Sequence, residues 1–110
     1  MSRRDYLGEF EHLVLLAVLR LGEAAYGVTV RREIEERAGR DASIGAIYAT
    51  LERLEKKRYV TSRFADPTPE RGGRSKRYFR VTGEGAAAIH RTQQAVAAMA
   101  RGLKPLARRS

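Results

Sequence analysis

The sequence predicts a mainly α-helical fold with a small β-hairpin, because long stretches have helical periodicity while two short ones alternate like strands. In residues 43–57, large apolar side chains recur at steps of three and four, which places them on one side of a helix. Residues 59–64 and 76–81 instead alternate between two faces, as strands do. The stretch between them is rich in proline, glycine and charge, as expected of an exposed hairpin loop. At 110 residues we expect one folding unit.

Two helices are predicted in the first forty residues. The first runs from Leu7 to Leu21, and apolar residues such as Phe10 and Leu13 spread over more than one helical stripe, so we expect it to be covered on two sides. The second runs from Tyr26 to Ala38 and has a charged outer face. Each is followed by a glycine that can close it, Gly22 and Gly39.

The third predicted helix has two different faces. One face must be buried and consists of Ile44, Ile47, Leu51 and Leu54. The other has small residues in its first turns and basic ones after them, namely Gly45, Ala46, Ala49, Arg53 and Lys56. Ser43 is well placed as its N-cap. An ordinary amphipathic surface helix has the same pattern, but the tight turn at residues 39–42 gives this helix and the one before it the spacing of a helix-turn-helix.

Positive charge begins near this third helix. Residues 40–80 carry eleven basic and five acidic side chains, whereas residues 1–39 carry six and seven. The net charge of +9 and the pI near 10.6 are typical of a protein that binds nucleic acid or another anionic surface. A hairpin that is charged only for solubility is the alternative, yet residues 63–80 hold six positive charges against two negative ones. The order of helix, helix-turn-helix and basic hairpin predicts a winged helix-turn-helix.

A fourth helix is predicted after Thr82, which serves as its N-cap. Its larger apolar residues stand seven, three and four positions apart, the a/d pattern of a coiled-coil seam. Packing back onto its own domain is the alternative. We therefore expect residues 1–81 to form a DNA-binding domain and residues 82–110 a dimerisation helix and tail. The predicted dimer interface comprises Phe10, Leu13, Ile89, Val96, Met99 and Leu103.

Catalytic and cofactor sites are not supported. Gly83 and Gly85 superficially match a dinucleotide-binding fingerprint, but no later strand completes the parallel unit that this fingerprint requires. The histidines, His12 and His90, lie far apart without companion ligands, and the chain has no cysteine. No apolar run is long enough to span a bilayer. We expect a cytoplasmic protein that is no enzyme and needs no cofactor or metal.

Four stretches together resemble the PadR family of bacterial transcriptional regulators: LGEFEHLVLLAVL, AAYGVTVRREIEE, SIGAIYATLERLEKKRYV and PTPERGGRSKRYFRVTGEG. The resemblance implies a winged helix-turn-helix with a dimerisation helix, a dimer on an inverted-repeat operator and, in many members, release of DNA when a small molecule binds. Tyr48 matches the tyrosine of the family's recognition helix, and Tyr26-Gly27 matches the pair that opens its second helix. Residues 71–74 match its wing tip, and Ala49 stands where the family often has proline.

The short C-terminal helix is similar to that of a smaller subgroup, some of which bind planar drugs between aromatic residues at the dimer interface. This helix has no aromatic residue. A small aromatic or drug-like effector is nevertheless predicted in an apolar gap between the two C-terminal helices, lined by Ile89, Val96 and Met99, where methionine would adapt to ligands of varied shape.

The sequence thus predicts a dimeric, sequence-specific repressor with residues 43–57 in the major groove of double-stranded DNA and the wing on the flanking backbone or minor groove. The predicted DNA-binding residues are Tyr26, Ser43, Gly45, Ala46, Tyr48, Ala49, Arg53, Lys56, Arg71, Gly72, Gly73, Arg74, Lys76 and Arg77. The alternative is a winged-helix module that holds RNA or a protein partner. The basic tip argues against a protein partner, and only Tyr48 and Tyr78 are candidates to stack on the bases of RNA.

Overall fold

The computed structural model describes residues 6–65 and 76–104, and within them it contains four α-helices, one short 3-10 turn and one antiparallel hairpin. In chain order these are α1 (Glu9–Leu21), the 3-10 turn (Gly22–Ala24), α2 (Gly27–Ala38), α3 (Ile44–Lys56), β1 (Val60–Phe64), β2 (Arg77–Val81) and α4 (Gly83–Ala100). Helical periodicity and strand alternation located these elements to within about two residues at their ends. The predicted fold class is confirmed. The predicted wing tip, Arg71 to Arg74, lies outside the described residues.

The predicted helix caps form as expected. The hydroxyl of Ser43 accepts a hydrogen bond of 3.0 Å from the Ala46 amide, and the hydroxyl of Thr82 accepts one of 2.9 Å from the Gly85 amide. Each satisfies a first-turn N–H that has no partner inside its helix. Gly22 and Gly39 close α1 and α2 with positive φ values of 58° and 64°, a conformation that favours glycine.

The hydrophobic core is formed where α1, α2 and α3 meet the hairpin. The largest fully buried side chains are Phe79, Leu15, Ile47, Leu51, Leu54, Val14, Val18, Val30 and Val60. Three of the four apolar residues predicted to anchor α3 belong to this set. Ile44 does not, since 38% of it is exposed, because it is the first residue of α3 and lies beyond the edge of the core.

The base of the hairpin is fixed to the start of α2. Val60 pairs with Val81 and Phe64 with Arg77 at the two ends of the β1–β2 ladder. On its other side β2 meets the chain before α2, since the Phe79 amide donates to the Ala25 carbonyl at 2.9 Å. A wing attached on both sides of β2 holds its outer residues at a defined place beside α2 and α3.

The first half of α4 packs against the domain and the second half does not. Gly85 approaches the chain so closely that a β-carbon there would lie 2.2 Å from the Tyr59 carbonyl oxygen. Farther along, the Thr92 hydroxyl accepts a hydrogen bond of 3.0 Å from the Leu7 amide. Beyond Thr92 the apolar side chains become solvent-exposed, with 64% of Val96 and 80% of Met99 exposed.

This division of α4 corrects the predicted seam. Ile89, predicted as an interface residue, is only 6% exposed and packs into the hydrophobic core of the same chain. Phe10 and Leu13 are partly buried against the same core, whereas Leu103 is exposed. Heptad spacing could not predict this difference between the two halves of α4. It shows which residues share one face of a helix, but not which part of that face packs against the same domain and which part is exposed.

No helix within residues 6–65 and 76–104 is long and apolar enough to cross a membrane. The same residues contain no group of three or more His, Cys, Asp or Glu side chains arranged to hold a metal ion.

Candidate nucleic-acid interface

The exposed face of the first half of α3 carries small residues, and we call it the bare face. Gly45, Ala46 and Ala49 are all exposed, while Ile47 and Leu51 are buried on the opposite side. From these three residues only hydrogen atoms and methyl groups project toward solvent. A large surface such as a DNA groove can approach the α3 backbone closely there.

Tyr48 defines one flank of this bare face and rests on α2. Its ring lies directly over Gly27, where a β-carbon would be 2.3 Å from Tyr48 Cζ. The side chain is partly buried as a result. Tyr48 was predicted as a DNA-binding residue, and the structure places it at the junction of α2 and α3. The sequence shows the Tyr-Gly pair, but only the packing of α2 against α3 reveals Gly27 as the surface that receives Tyr48.

A cluster of aromatic and basic side chains joins the wing to the start of α2. The rings of Tyr26 and Tyr78 meet edge to face at a centroid distance of 5.3 Å. The Lys76 ammonium lies 4.7 Å from the Tyr26 ring centroid, and the Arg63 guanidinium lies 5.1 Å from that of Tyr78. Cation–π contacts of this kind hold long basic side chains in place without neutralising their charge. Two positive charges are thus presented beside the N-terminus of α2.

The other flank of α3 is tied to α1 by a carboxylate. Glu11, 8% exposed, accepts hydrogen bonds from Arg53 Nε at 3.2 Å and from Lys57 Nζ at 3.1 Å. Arg53 was predicted to contact DNA, and in the structure its Nε donates to Glu11 while about half of the side chain stays exposed. Arg53 also reaches the Thr50 hydroxyl at 3.4 Å. Sequence reasoning missed Glu11, because a single carboxylate in an apolar helix gives no signal of its partners.

The environment of Glu11 favours its charged form. Burial alone would raise the pKa of this carboxyl, but hydrogen bonds from Lys57, the Gly8 amide and Arg53 outweigh burial and leave the pKa below its ordinary value. The ion pair is therefore formed at neutral pH and links α1 to α3.

Arg77, which was predicted to contact DNA, ties the wing to α3 in the structure. Its guanidinium donates to the Ser62 hydroxyl at 3.1 Å and to the Glu55 carboxylate, and it lies 3.8 Å from a carboxylate oxygen of Glu52. The strand register places Arg77 opposite Phe64, on the hairpin face that carries Ser62 toward α3. Its positive charge therefore lies against two carboxylates of α3.

Several other cations stay uncompensated. Within the described part of the chain, no carboxylate oxygen lies within 4 Å of Lys56, Arg63, Lys76 or Arg80. Lys56 extends from α3 and the other three come from the hairpin. The end of α3 and the wing therefore both carry positive charge that no carboxylate of the described residues neutralises at close range.

A groove of about 440 Å³ lies between the end of α1 and the hairpin. Its wall includes Val18, Leu19 and Glu23 on one side and Arg63, Tyr78 and Arg80 on the other. None of its lining residues belongs to α3 or α4, so it is separate from the bare face and from the exposed part of α4.

The fold and this surface define a winged helix-turn-helix protein of the DNA-binding class. The "Transcriptional regulator PadR-like family" model matches residues 15–91, and the chain therefore belongs to this family. The resemblance seen in the sequence is confirmed. Membership of a family of transcriptional regulators also confirms the prediction of a DNA-binding regulator rather than an enzyme.

Solved structures agree with this assignment. A Streptococcus transcriptional regulator is 27% identical with a TM-score of 0.66, and the match covers 84% of this chain and 85% of that one. A PadR-like transcription factor from Bacteroides fragilis is 20% identical with a TM-score of 0.70 over 82% of each chain. A PadR family transcription regulator from Clostridium difficile is 21% identical with a TM-score of 0.66, over 82% of this chain and 90% of that one. The last two support the fold alone. No curated protein matches the sequence significantly.

Proposed function

We propose that this chain is a homodimeric repressor that binds an inverted-repeat operator, with α3 in the major groove and the wing on the adjacent backbone or minor groove. The observation that carries the proposal is the bare first half of α3, where Gly45, Ala46 and Ala49 are exposed between two fixed flanks. Recognition helices contact bases mainly through their N-terminal residues, and small side chains let the backbone enter deeply. Ser43 caps this end, and the free amides and positive helix dipole there suit a phosphate.

The wing supplies the phosphate contacts in this arrangement. Lys76 and Arg63 are held over tyrosine rings beside the α2 N-terminus, and Lys56 extends from α3 without a carboxylate partner among the described residues. Tyr26 supports the wing and Tyr48 supports α3, so these two tyrosines determine how far the wing and α3 project toward the DNA. Arg71, Gly72, Gly73 and Arg74 would extend the basic surface along the backbone or into the minor groove. Such contacts position the protein without reading sequence.

Dimerisation follows from the exposed half of α4. Val96 and Met99 are large apolar side chains that remain in solvent in the single chain, and they share one face of α4 three residues apart. Leu103, also exposed, lies just beyond the end of the helix. Packing this face against the same face of a second copy would bury it. Residues 1–81 then form the DNA-reading unit and residues 82–110 the dimerisation unit. A two-fold dimer presents two copies of α3 to two half-sites, which requires an inverted repeat.

An effector site belongs to the same proposal. A small planar aromatic compound would bind between the paired α4 helices against Val96 and Met99, and the flexible thioether of Met99 adapts to varied shapes. Ile89 does not line this site, because it is buried in its own protomer. Binding there would change the separation of the two α3 helices and release the operator.

Selection of bound sequences from a random pool of double-stranded DNA tests the proposal. We expect an enriched inverted repeat whose half-site centres are about 10 base pairs or a multiple of this apart. The selected repeat should bind far more tightly than one half-site alone, because two copies of α3 then engage together. Enrichment of no duplex motif, together with tighter binding of structured RNA than of any duplex, would instead support the RNA-binding alternative.

A further inference from the structure

Glu52 lies in the middle of the exposed face of α3. At about 100° per residue, the steps of four, three and four that separate Gly45, Ala49, Glu52 and Lys56 place them in one row. All four are exposed, and the row faces away from the buried Leu51 and its neighbours. The two flanks of the helix are held elsewhere, by Tyr48 on α2 and by the Glu11 ion pairs. This row is the part of α3 that would face DNA.

Glu52 is the first residue in this row with a hydrogen-bonding side chain, because Gly45 and Ala49 end at or before the β-carbon. Its side chain is 63% exposed. Among residues 6–65 and 76–104, its ion-pair partner is Arg77, at 3.8 Å, a distance too long for a hydrogen bond. By contrast Glu55, three residues later, is hydrogen-bonded by both Ser62 and Arg77. The carboxylate oxygens of Glu52 therefore remain able to accept hydrogen bonds, and the nearby Arg77 guanidinium restricts the positions that the carboxylate can take.

A carboxylate at this place needs a donor when DNA binds. The phosphates that line the groove are negative, so an unpaired carboxylate there is repelled. In the major groove, the partner that suits a carboxylate is the N4 amino group of cytosine. Cytosine presents only this hydrogen-bond donor there and no acceptor that would repel the carboxylate. Glu52 lies about 10 Å along the helix from Gly45, which is less than the roughly 12 Å width of the major groove, so both can be inside it.

Building on the proposed function, we infer that Glu52 accepts a hydrogen bond from the N4 amino group of a cytosine and sets a C·G preference at one position of each half-site. Arg77 is a positioning residue in this arrangement, since it links the carboxylate to the wing. The bare residues before Glu52 let α3 come close enough for its carboxylate to reach a base edge.

The test compares three proteins in parallel selections from random duplex DNA: wild type, Glu52→Gln and Glu84→Gln. Glu84 is exposed in the first turn of α4, so its substitution changes the net charge equally without touching α3. We expect wild type and Glu84→Gln to enrich the same motif. Glu52→Gln should lose cytosine at one position per half-site and favour adenine there, because a glutamine amide pairs with adenine N6 and N7.

Affinities then measure the effect directly. Exchanging that C·G pair for T·A should weaken binding roughly tenfold for wild type and Glu84→Gln and should leave the affinity of Glu52→Gln unchanged. A second arm leaves the protein unchanged and replaces the cytosine by a base without the 4-amino group. Wild type should lose affinity for this DNA by a similar factor. The weakened base pair costs all three proteins, including Glu84→Gln, the same amount of affinity. Glu52→Gln should lose only that amount.

Three results would overturn the inference. If all three proteins enrich one motif with unchanged discrimination at every position, Glu52 reads no base, although the proposed function stands. If Glu52→Gln tightens binding to every sequence equally, the carboxylate acts only by repulsion. If wild type enriches no motif at all, the proposed function fails and the inference fails with it.

Discussion

The ring of Tyr48 occupies the space that a side chain at Gly27 would need. A β-carbon at residue 27 would lie 2.3 Å from Tyr48 Cζ and 2.5 Å from its hydroxyl oxygen, far inside van der Waals contact. Gly27 is the first residue of α2, and Tyr48 belongs to the second turn of α3. The absence of one side chain thus sets how closely these two helices approach at the end that would meet DNA.

Gly27→Ala should therefore displace the Tyr48 ring and destabilise the protein by about 1–3 kcal/mol, the usual cost of added bulk in a packed site. The measurement is denaturant unfolding of Gly27→Ala, Tyr48→Ala and the double variant. Because Tyr48→Ala removes the obstructing ring, adding Gly27→Ala to it should cost almost nothing. Equal costs in both backgrounds would show that the contact between the two residues is unimportant.

Gly85→Ala should also destabilise the protein, and here the obstacle is backbone. The added β-carbon would lie 2.2 Å from the Tyr59 carbonyl oxygen, so α4 has to move away from the domain. Gly83→Ala is the matched control, since a β-carbon there meets nothing within 4 Å. We expect a loss of about 1–3 kcal/mol for Gly85→Ala and no loss for Gly83→Ala in thermal or denaturant unfolding. Similar behaviour of both variants would contradict the close approach of α4.

The fold could be predicted because its determinants are local. Apolar periodicity located the helices, alternation located the strands, and the single residues Ser43 and Thr82 marked helix starts. Ile44 was wrongly expected to be buried, because periodicity gives a direction around a helix and says nothing about where the core ends along it. The same limit applies to Ile89, which shares a face with Val96 but is covered by its own protomer.

The site was harder to predict because its geometry depends on pairings between distant residues. Arg53 and Arg77 are basic residues near α3 or the wing, and composition alone cannot distinguish them from Lys56 or Lys76. Arg53 meets Glu11 only once α1 packs on α3, and Arg77 meets Glu55 only once the hairpin register is fixed. Nothing in the order of the residues indicates either pairing.

Glu11 should make stability depend on pH in the acid range. Its folded-state pKa is depressed, so the carboxylate's contribution is fully present above the ordinary value near 4.5 and is lost as pH falls through the lower folded-state pKa. Glu11→Gln should cost about 1 kcal/mol at pH 7, because the half-exposed Arg53 and Lys57 lose a charged hydrogen-bond acceptor. The difference from wild type should shrink as pH falls below about 4.5, measured by denaturant unfolding. Glu84→Gln serves as the control, and a cost of Glu11→Gln that does not vary with pH would contradict the ion pair.

Val96→Glu should dissociate the proposed dimer. Val96 lies on the exposed apolar face of α4, and a carboxylate buried in a contact between two copies is costly without a partner. Ala97→Glu adds the same charge at the next position, rotated by about 100° away from that face, and should leave the dimer intact. Sedimentation at low micromolar concentration distinguishes the two. A dimer mass that persists in Val96→Glu would show that this face is not the contact.

We proposed that α3 recognises bases and that the wing binds phosphates. These two roles should be separable by how DNA affinity depends on sequence and on salt concentration. Ala49→Glu adds bulk and negative charge to the bare face, so it should weaken operator binding far more than binding to random DNA. Lys76→Ala removes an exposed wing cation, so it should weaken both similarly and reduce the slope of log affinity against log salt by about one unit. Lys104→Ala removes an equal charge after α4 and should leave the slope unchanged.

Affinities of all three variants for both DNAs at several salt concentrations test these roles. If Lys76→Ala erased sequence preference while Ala49→Glu preserved it, the wing would be the element that recognises bases and α3 the one that binds the backbone.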